Sequence, residues 1–432
     1  MFRTLFNAIR QKDIRKKMLW TVFLIFVYRI GTHITVPGVN PAALQSVANS
    51  GLLNILNIFS GGGLLNFSLF AMGVSPYVTA QIVVQLLQLD IVPRFVEWSK
   101  QGEVGRRKLN QATRYLTIIF AFLQSVGITA GFNSLAAYGL VKQTNNVTSF
   151  LLIGSVMTMG TFFAMWLGEM ITEKGLGNGV SMIIFSGIIS QTPSAFKEIF
   201  TENVLQASKS QVVNGWIFVA VLVLAIILII GITTWFYEAA RKLQIQYTRS
   251  AASYGSEAYL PLKLNVSGVI PVIFASSLIS TPQTILFAFQ SKYSSDQWFK
   301  VLKEIFSMQT ITGAVFYTAM IILFTYFYAF VQVNPEKLSE NLQKQGAYIV
   351  SVRPGVETQK FITKLLLRLS FVGALYLGFV ALVPLIASDV WGLNEKIGLG
   401  GTSLLITIGV TLDLLRQIDG LLQKKNYVGF LH

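Results

Sequence analysis

The sequence predicts an all-α polytopic membrane protein, and three observations carry that prediction. Hydrophobic residues make up 53% of the 432 residues and charged residues only 12%, whereas a soluble domain carries about 25% charge to cover its surface. The mean hydropathy is +0.58. The charges also cluster, leaving uncharged windows long enough to cross a bilayer core of about 30 Å.

Ten spans follow, at 19–36, 69–89, 115–132, 150–170, 178–193, 215–236, 268–289, 312–332, 367–387 and 401–418. The basic stretch before Met18 resembles the start of a secretory signal, but no small-residue cleavage site follows it and nine more spans do, so it reads as a retained anchor. The chain then divides into an N-terminal segment (1–18), a five-span half (19–193), an external hinge loop (194–214), a second five-span half (215–418) and a tail (419–432). Lys and Arg orient the chain. With the N-terminus in the cytoplasm, the inner loops and termini hold 26 basic residues and the outer loops 7. Both termini are therefore expected in the cytoplasm. The net charge of +15 is mostly a topology signal, matched by anionic lipid and acidic partners without invoking DNA.

The same residues exclude several functions. Cysteine is absent, so disulfides and thiolate metal sites are excluded, and the two histidines, His33 and His432, stand far apart at the end of a span and at the C-terminus. The chain has no phosphate-binding glycine loop, nucleophile elbow or paired-histidine helix. No enzyme activity or cofactor is implied.

Span 2 contains G73-V-S-P and span 7 contains G268-V-I-P. Each is the second span of a five-span half, and the two run in opposite directions. That pattern marks an inverted repeat with a functional path between its halves. Gly and Pro there are tolerable only where neighbouring helices or a cavity satisfy the freed backbone groups. The interiors of spans 2, 5, 6, 7, 8 and 10 lack the charges that ion-coupled transporters place near the midplane. Arg29 is the one clear intramembrane charge and is expected to snorkel to the interface. Thr79, Gln81, Gln85, Asn178, Ser276 and Ser277 are the polar neutral candidates along the path. An aliphatic path suits a large, chemically varied cargo passing a gated conduit. Composition and the repeat alone also admit a secondary transporter of a small solute, or a scaffold without transport.

From Ile55 to Leu89 no residue is charged. As one helix these residues would reach about 52 Å, too long for one span and too short for two. The segment holds the triplet Gly61-Gly62-Gly63, a poor helix former.

Several long motifs stand in one order along these ten spans. They are I-G-T-x-I-T-V-P-G-V-N (30–40), F-S-G-G-G (59–63), Y-V-T-A-Q-I-V-V-Q-L-L-Q (77–88) and E-W-x-K-Q-G-E-V-G-R-R-K-L (97–109). W-L-G-E-x-I-T-E-K-G-x-G-N-G (166–179), L-P-L-K-x-N-x-x-G-V-I-P-V-I-F-A-S-S (260–277), R-P-G (353–355) and G-G-T-S-L-L-I (400–406) follow. In these the chain closely resembles, essentially end to end, the SecY family of protein-conducting channels.

The resemblance implies two pseudo-symmetric inverted five-helix halves around a central pore, in the bacterial cytoplasmic membrane. It implies sideways opening to lipid between spans 2–3 and 7–8, with Thr79, Gln85, Asn178, Ser276 and Ser277 at this lateral gate. The family's aliphatic pore ring falls on Val74, Val78, Val180, Ile184, Ile273 and Ile406. Residues 55–67 become a short re-entrant plug helix, centred on Phe59, Ser60, Gly61, Gly62, Gly63, Leu64, Leu65 and Asn66. The implied partners are SecE and SecG, the SecA motor ATPase, the ribosome, signal peptides and nascent chains. Docking of motor or ribosome would use Arg106, Arg107, Lys108, Arg241, Lys242, Arg249 and Arg353. The 237–267 loop carries fewer basic residues than many relatives, which weakens its share.

Overall fold

A computed structural model of the chain describes residues 8–40, 60–64, 66–88, 92–135, 141, 147–205, 212–247, 258–308, 310–391 and 401–428. Every expected span lies on a helix. These are α1 (Lys12–Gly31), α2 (Ser75–Leu87), α4 (Gly102–Leu135), α5 (Val147–Lys174), α6 (Gly179–Phe200), α7 (Val212–Glu238), α8 (Ile270–Tyr293), α10 (Ile311–Gln332), α12 (Val356–Trp391) and α13 (Gly401–Val428). Three short helices join them: α3 (Pro93–Lys100), α9 (Gln297–Phe306) and α11 (Pro335–Lys344). Seven helical stretches, on α4, α5, α6, α7, α8, α10 and α12, are long and apolar enough to cross a membrane. The protein is an all-α polytopic membrane protein.

The three remaining expected spans differ for physical reasons. α1 and α13 carry charged ends. α2 has only 13 residues, about 20 Å of helix against a core of about 30 Å. Its expected start at residue 69 moves to Ser75, because Gly73 has φ +54° and breaks the helical path.

The described part of the expected plug helix, Ser60–Leu64 with Asn66 and Phe67, is a run of turns instead of a helix. Gly61 and Gly62 have φ of +65° and +89°, a region that one residue can occupy in a turn but a right-handed helix cannot.

The G-V-x-P echo has a structural counterpart. Gly73 and Gly268 are both left-handed, at φ +54° and +68°. Val74 and Val269 follow as N-caps with nearly equal angles, φ −101° ψ 4° and φ −94° ψ −6°. Pro then stands within the first two helical positions of both α2 and α8, where its missing N–H costs nothing.

Two stretches expected to be loops are folded. The 90–114 connection is mostly helix, supplied by α3 and the first turns of α4. The 237–267 connection forms β1 (Ala240–Tyr247) and β2 (Ala258–Lys263), and β3 (Ala347–Ile349) completes a sheet in the order β2-β1-β3. In β1, Leu243 and Ile245 are buried while their neighbours are exposed, the period-2 pattern of a half-buried strand. They share a separate small core with Leu342 of α11 and Ile362 and Leu366 of α12. The sheet is therefore clamped to the extended foot of α12.

Gly73→Ala and Gly268→Ala are each expected to destabilise the protein by about 1–2 kcal/mol, the cost of a left-handed non-glycine residue. Gly420→Ala, in open space on helical α13, should not. Denaturation of the purified variants in micelles checks the contrast.

Candidate functional site

The six ring candidates meet. Val74, Val78, Ile184, Ile273 and Ile406 are buried in one apolar cluster, and Val180 packs half-buried against it. They come from the start of α2, from α6, α8 and α13. The 3.1 Å bond that the Val78 N–H donates to the Val74 carbonyl puts this pair on one face. The molecule's main apolar cluster thus draws side chains from both halves of the sequence.

Directly beside it runs a seam between α8 and the α2–α4 pair. Thr79 Oγ1 lies 3.2 Å from its own Ser75 carbonyl, 3.5 Å from the Ser277 carbonyl and 3.3 Å from Thr281 Oγ1. Gln124 Nε2 on α4 donates to Thr281 Oγ1 at 2.7 Å. Farther along, Gly127 and Gly131 bring the α4 backbone against α8. A Cβ at Gly127 would meet Thr284 and Ala288, and one at Gly131 would lie 2.1 Å from the Phe287 ring. This G-x-x-x-G spacing is a small-residue contact typical of membrane helices. Its partners Gln124, Gly127, Gly131 and Thr281 were not among the predicted gate residues. The polar Gln124 and the glycine spacing were the available signals.

The predicted gate residues divide. Thr79 and Ser277 meet across the seam. Ser276 donates instead to carbonyls of its own helix, Val272 and Ile273. Ser277 Oγ and Gln85 Oε1 are buried without a hydrogen-bond partner among the described residues. Asn178 caps α6, accepting from the Val180 N–H at 3.1 Å, so its local role is to start a helix.

The glycine segment packs over one end of this region. The Tyr28 hydroxyl donates to the Ser60 carbonyl at 3.3 Å, and Arg29 Nη1 donates to the Gly61 carbonyl. The Arg29 charge, expected to reach towards the interface, thus has a main-chain carbonyl as a partner within the protein. A Cβ at Gly61 would lie 3.0 Å from the Gly187 Cα on α6, so the backbones touch. The Leu64 N–H donates to Ser60 Oγ, and the Val36 and Leu69 N–H groups bond the Phe67 and Ile34 carbonyls. Phe67 is fully buried with φ 44°, an unusual conformation for a bulky residue. Its ring meets Phe132 edge-on at 5.4 Å, and Phe132 meets Phe287 at 5.7 Å. One aromatic row thus joins the glycine segment to both sides of the seam. Phe59 and Leu65 lie outside the described residues.

The predicted docking residues occupy the end of the molecule that carries the sheet. Arg241 and Lys242 are exposed on β1, and Arg353 is exposed in the turn before α12, where Gly355 has φ +95°. Arg106, Arg107 and Lys108 are exposed on the first turns of α4, a helix where a loop was expected. Arg249 lies outside the described residues. Arg416 on α13, not singled out from sequence, donates to the Tyr237 carbonyl at the end of α7. Burial and the nearby Arg416 guanidinium hold the Lys263 ammonium on β2 below its ordinary pKa.

Thr79→Val and Thr281→Val test the seam through a double-mutant cycle. The expected coupling is about 0.6 kcal/mol, and at most about 1.7, as for interhelical hydrogen bonds in membranes. A coupling of zero would show that the observed contact contributes nothing.

The family profile described as SecY matches residues 68–415. A relative named protein translocase subunit SecY 1, from Lactobacillus kefiranofaciens subsp. kefiranofaciens, is 58% identical over 431 residues and covers the full length of both chains. Among solved structures, one described by the plug domain of SecY stabilising the closed channel superposes with a TM-score of 0.65 at 17% identity, covering 95% of this chain and 93% of that one. Sec61 in the canine ribosome–channel complex superposes with a TM-score of 0.59 at 17% identity and the same coverage. With its profile matched over most of its length and a relative more than half identical from end to end, the chain belongs to the SecY family.

Proposed function

We propose that this chain is the passive protein-conducting channel of a translocase, passing unfolded secretory polypeptides across the bacterial cytoplasmic membrane and releasing transmembrane segments sideways into lipid. The observation that supports this reading is that Val74, Val78, Ile184, Ile273 and Ile406 are buried in one apolar cluster drawn from both halves, with Val180 packed against it. A ring of aliphatics resists water and ions when narrow, yet binds no particular side chain strongly. It therefore fits a cargo whose side chains vary along its length.

The seam supplies the sideways exit. Small residues and a few weak polar contacts hold α8 to α2 and α4, and the buried, unpaired Ser277 hydroxyl keeps the closed state from being over-stabilised. Segments that leave through it sort by partitioning: apolar stretches of about 20 residues favour lipid, and each central charge costs about 2.5–3.5 kcal/mol. The glycine segment acts as the plug of the idle pore. Tyr28 and Arg29 hold it through main-chain carbonyls. The row Phe67–Phe132–Phe287 loosens it when the seam parts.

Energy comes from partners, since the sequence has no nucleotide site. SecE and SecG complete the channel. SecA or the ribosome docks on Arg106, Arg107, Lys108, Arg241, Lys242, Arg249 and Arg353, with both termini in the cytoplasm. The canine Sec61 relative in a ribosome–channel complex supports the ribosome as one such partner.

Photocrosslinkers at Ile184 and Ile273 should label a secretory chain stalled in transit. If neither does, the pore assignment is wrong. Deleting Phe59–Asn66 should leave translocation working while the resting channel leaks ions, measured as conductance in planar bilayers. Arg29→Leu should raise the resting leak in the same direction, and Arg29→Lys should raise it less. Unchanged conductance in the deletion would remove the plug role.

A further inference from the structure

The connection between α8 and α10 contains a surface that neither the pore nor the seam uses. It is the amphipathic helix α9, with the sequence Q-W-F-K-V-L-K-E-I-F. It has three faces. Phe299, almost fully buried, and the half-buried Phe306 point into the protein, where Phe306 meets Phe316 of α10 edge-on at 5.7 Å. Trp298, Val301, Leu302 and Ile305 recur at i, i+3, i+4 and i+7, one helical stripe. The first three of them are exposed. Lys300, exposed, and Lys303, half-buried, lie on the side away from that stripe, and the exposed Glu304 lies between Lys300 and Val301 around the helix.

We propose that α9 is a lipid-docking helix that lies in the plane of the membrane interface, at the end of α8 remote from the sheet. Its apolar stripe enters the acyl boundary and Lys300 faces the phosphates and water. Three observations select lipid over a protein partner. The helices that flank α9 in sequence also expose apolar side chains, Ile285 and Phe289 on α8 and Ile311 and Val315 on α10, as spanning helices do towards acyl chains. The rings of Phe289, Tyr293 and Trp298 follow one another at 6.2 and 5.5 Å, with Lys292 Nζ 5.3 Å above Tyr293. Aromatic rings beside a lysine, at the mouth of a span, are the composition of a headgroup-level belt. The helix is also rigidly placed. Thr310 Oγ1 donates to the Glu304 carbonyl, and Thr312 Oγ1 donates to Glu304 Oε1 at 3.2 Å. The interface thereby sets the depth of α8 and α10, whatever the state of the pore. This reading needs only the multi-pass membrane fold and is independent of the pore, plug and gate roles.

The absence of cysteine makes the test direct. Single cysteines at Trp298, Val301 and Lys300 would be labelled with an environment-sensitive fluorophore. The full-length protein would then be reconstituted in vesicles of phosphatidylcholine and phosphatidylglycerol. Nitroxide lipids spin-labelled near the headgroup should quench the probe at 298 and 301 several-fold more than at 300, and aqueous iodide should show the reverse order. Equal iodide access at all three positions overturns the proposal. So does protection of 298 and 301 from both quenchers, which would mean that a protein covers the stripe. Two stripe positions guard against a local effect of replacing the tryptophan.

Discussion

The organisation of this protein depends on one constraint: in a bilayer core, every backbone N–H and C=O needs a partner from the protein itself. The described residues of 60–74 form turns and a bridge rather than helix, and several of their polar groups find partners within the protein. Turn bonds inside the segment take some of them. The β-bridge partners around Ile34 and Val36 take others, and the Tyr28 hydroxyl and Arg29 guanidinium reach the carbonyls of Ser60 and Gly61. With those bonds in place, α2 is short and α1 keeps a cation in its last turn.

The same economy appears in the strength of the contacts. The contacts between helices differ in kind. Arg114 on α4 grips Glu169 on α5 with two hydrogen bonds at 3.1 and 2.6 Å, and a small core fixes the sheet to α12. Where α8 meets α2 and α4, the contacts are hydroxyls, one amide and two glycines. Such contacts are each worth about 1 kcal/mol or less.

Much of the site was legible because its logic is periodic or compositional. The ring candidates are apolar residues on helix faces, and each is buried in, or packs against, the main apolar cluster. Thr79 and Ser277 were visible as polar residues in apolar spans, and they meet. Asn178 looked the same in sequence but caps a helix, because position relative to a helix start is invisible in composition. Arg29 was expected at the interface because a lone charge usually escapes the core. In the structure its guanidinium donates to the Gly61 carbonyl, 32 residues away in the chain, a pairing that composition does not reveal. The β1 strand was legible in the alternation of L-Q-I-Q-Y, yet the expectation of a solvated loop hid it.

The sequence by itself determined the solvent this protein lives in, the order of its apolar helices, and where its backbone must break. Those properties follow from hydropathy, from charge placement and from the conformations open to Gly and Pro, all of which are local. Only the tertiary structure decided which polar side chain meets which carbonyl, which helix boundary is weak, and which apolar stripe is left uncovered. Each of these is a pairing between residues far apart in the chain, and its energy exists only once the helices have packed.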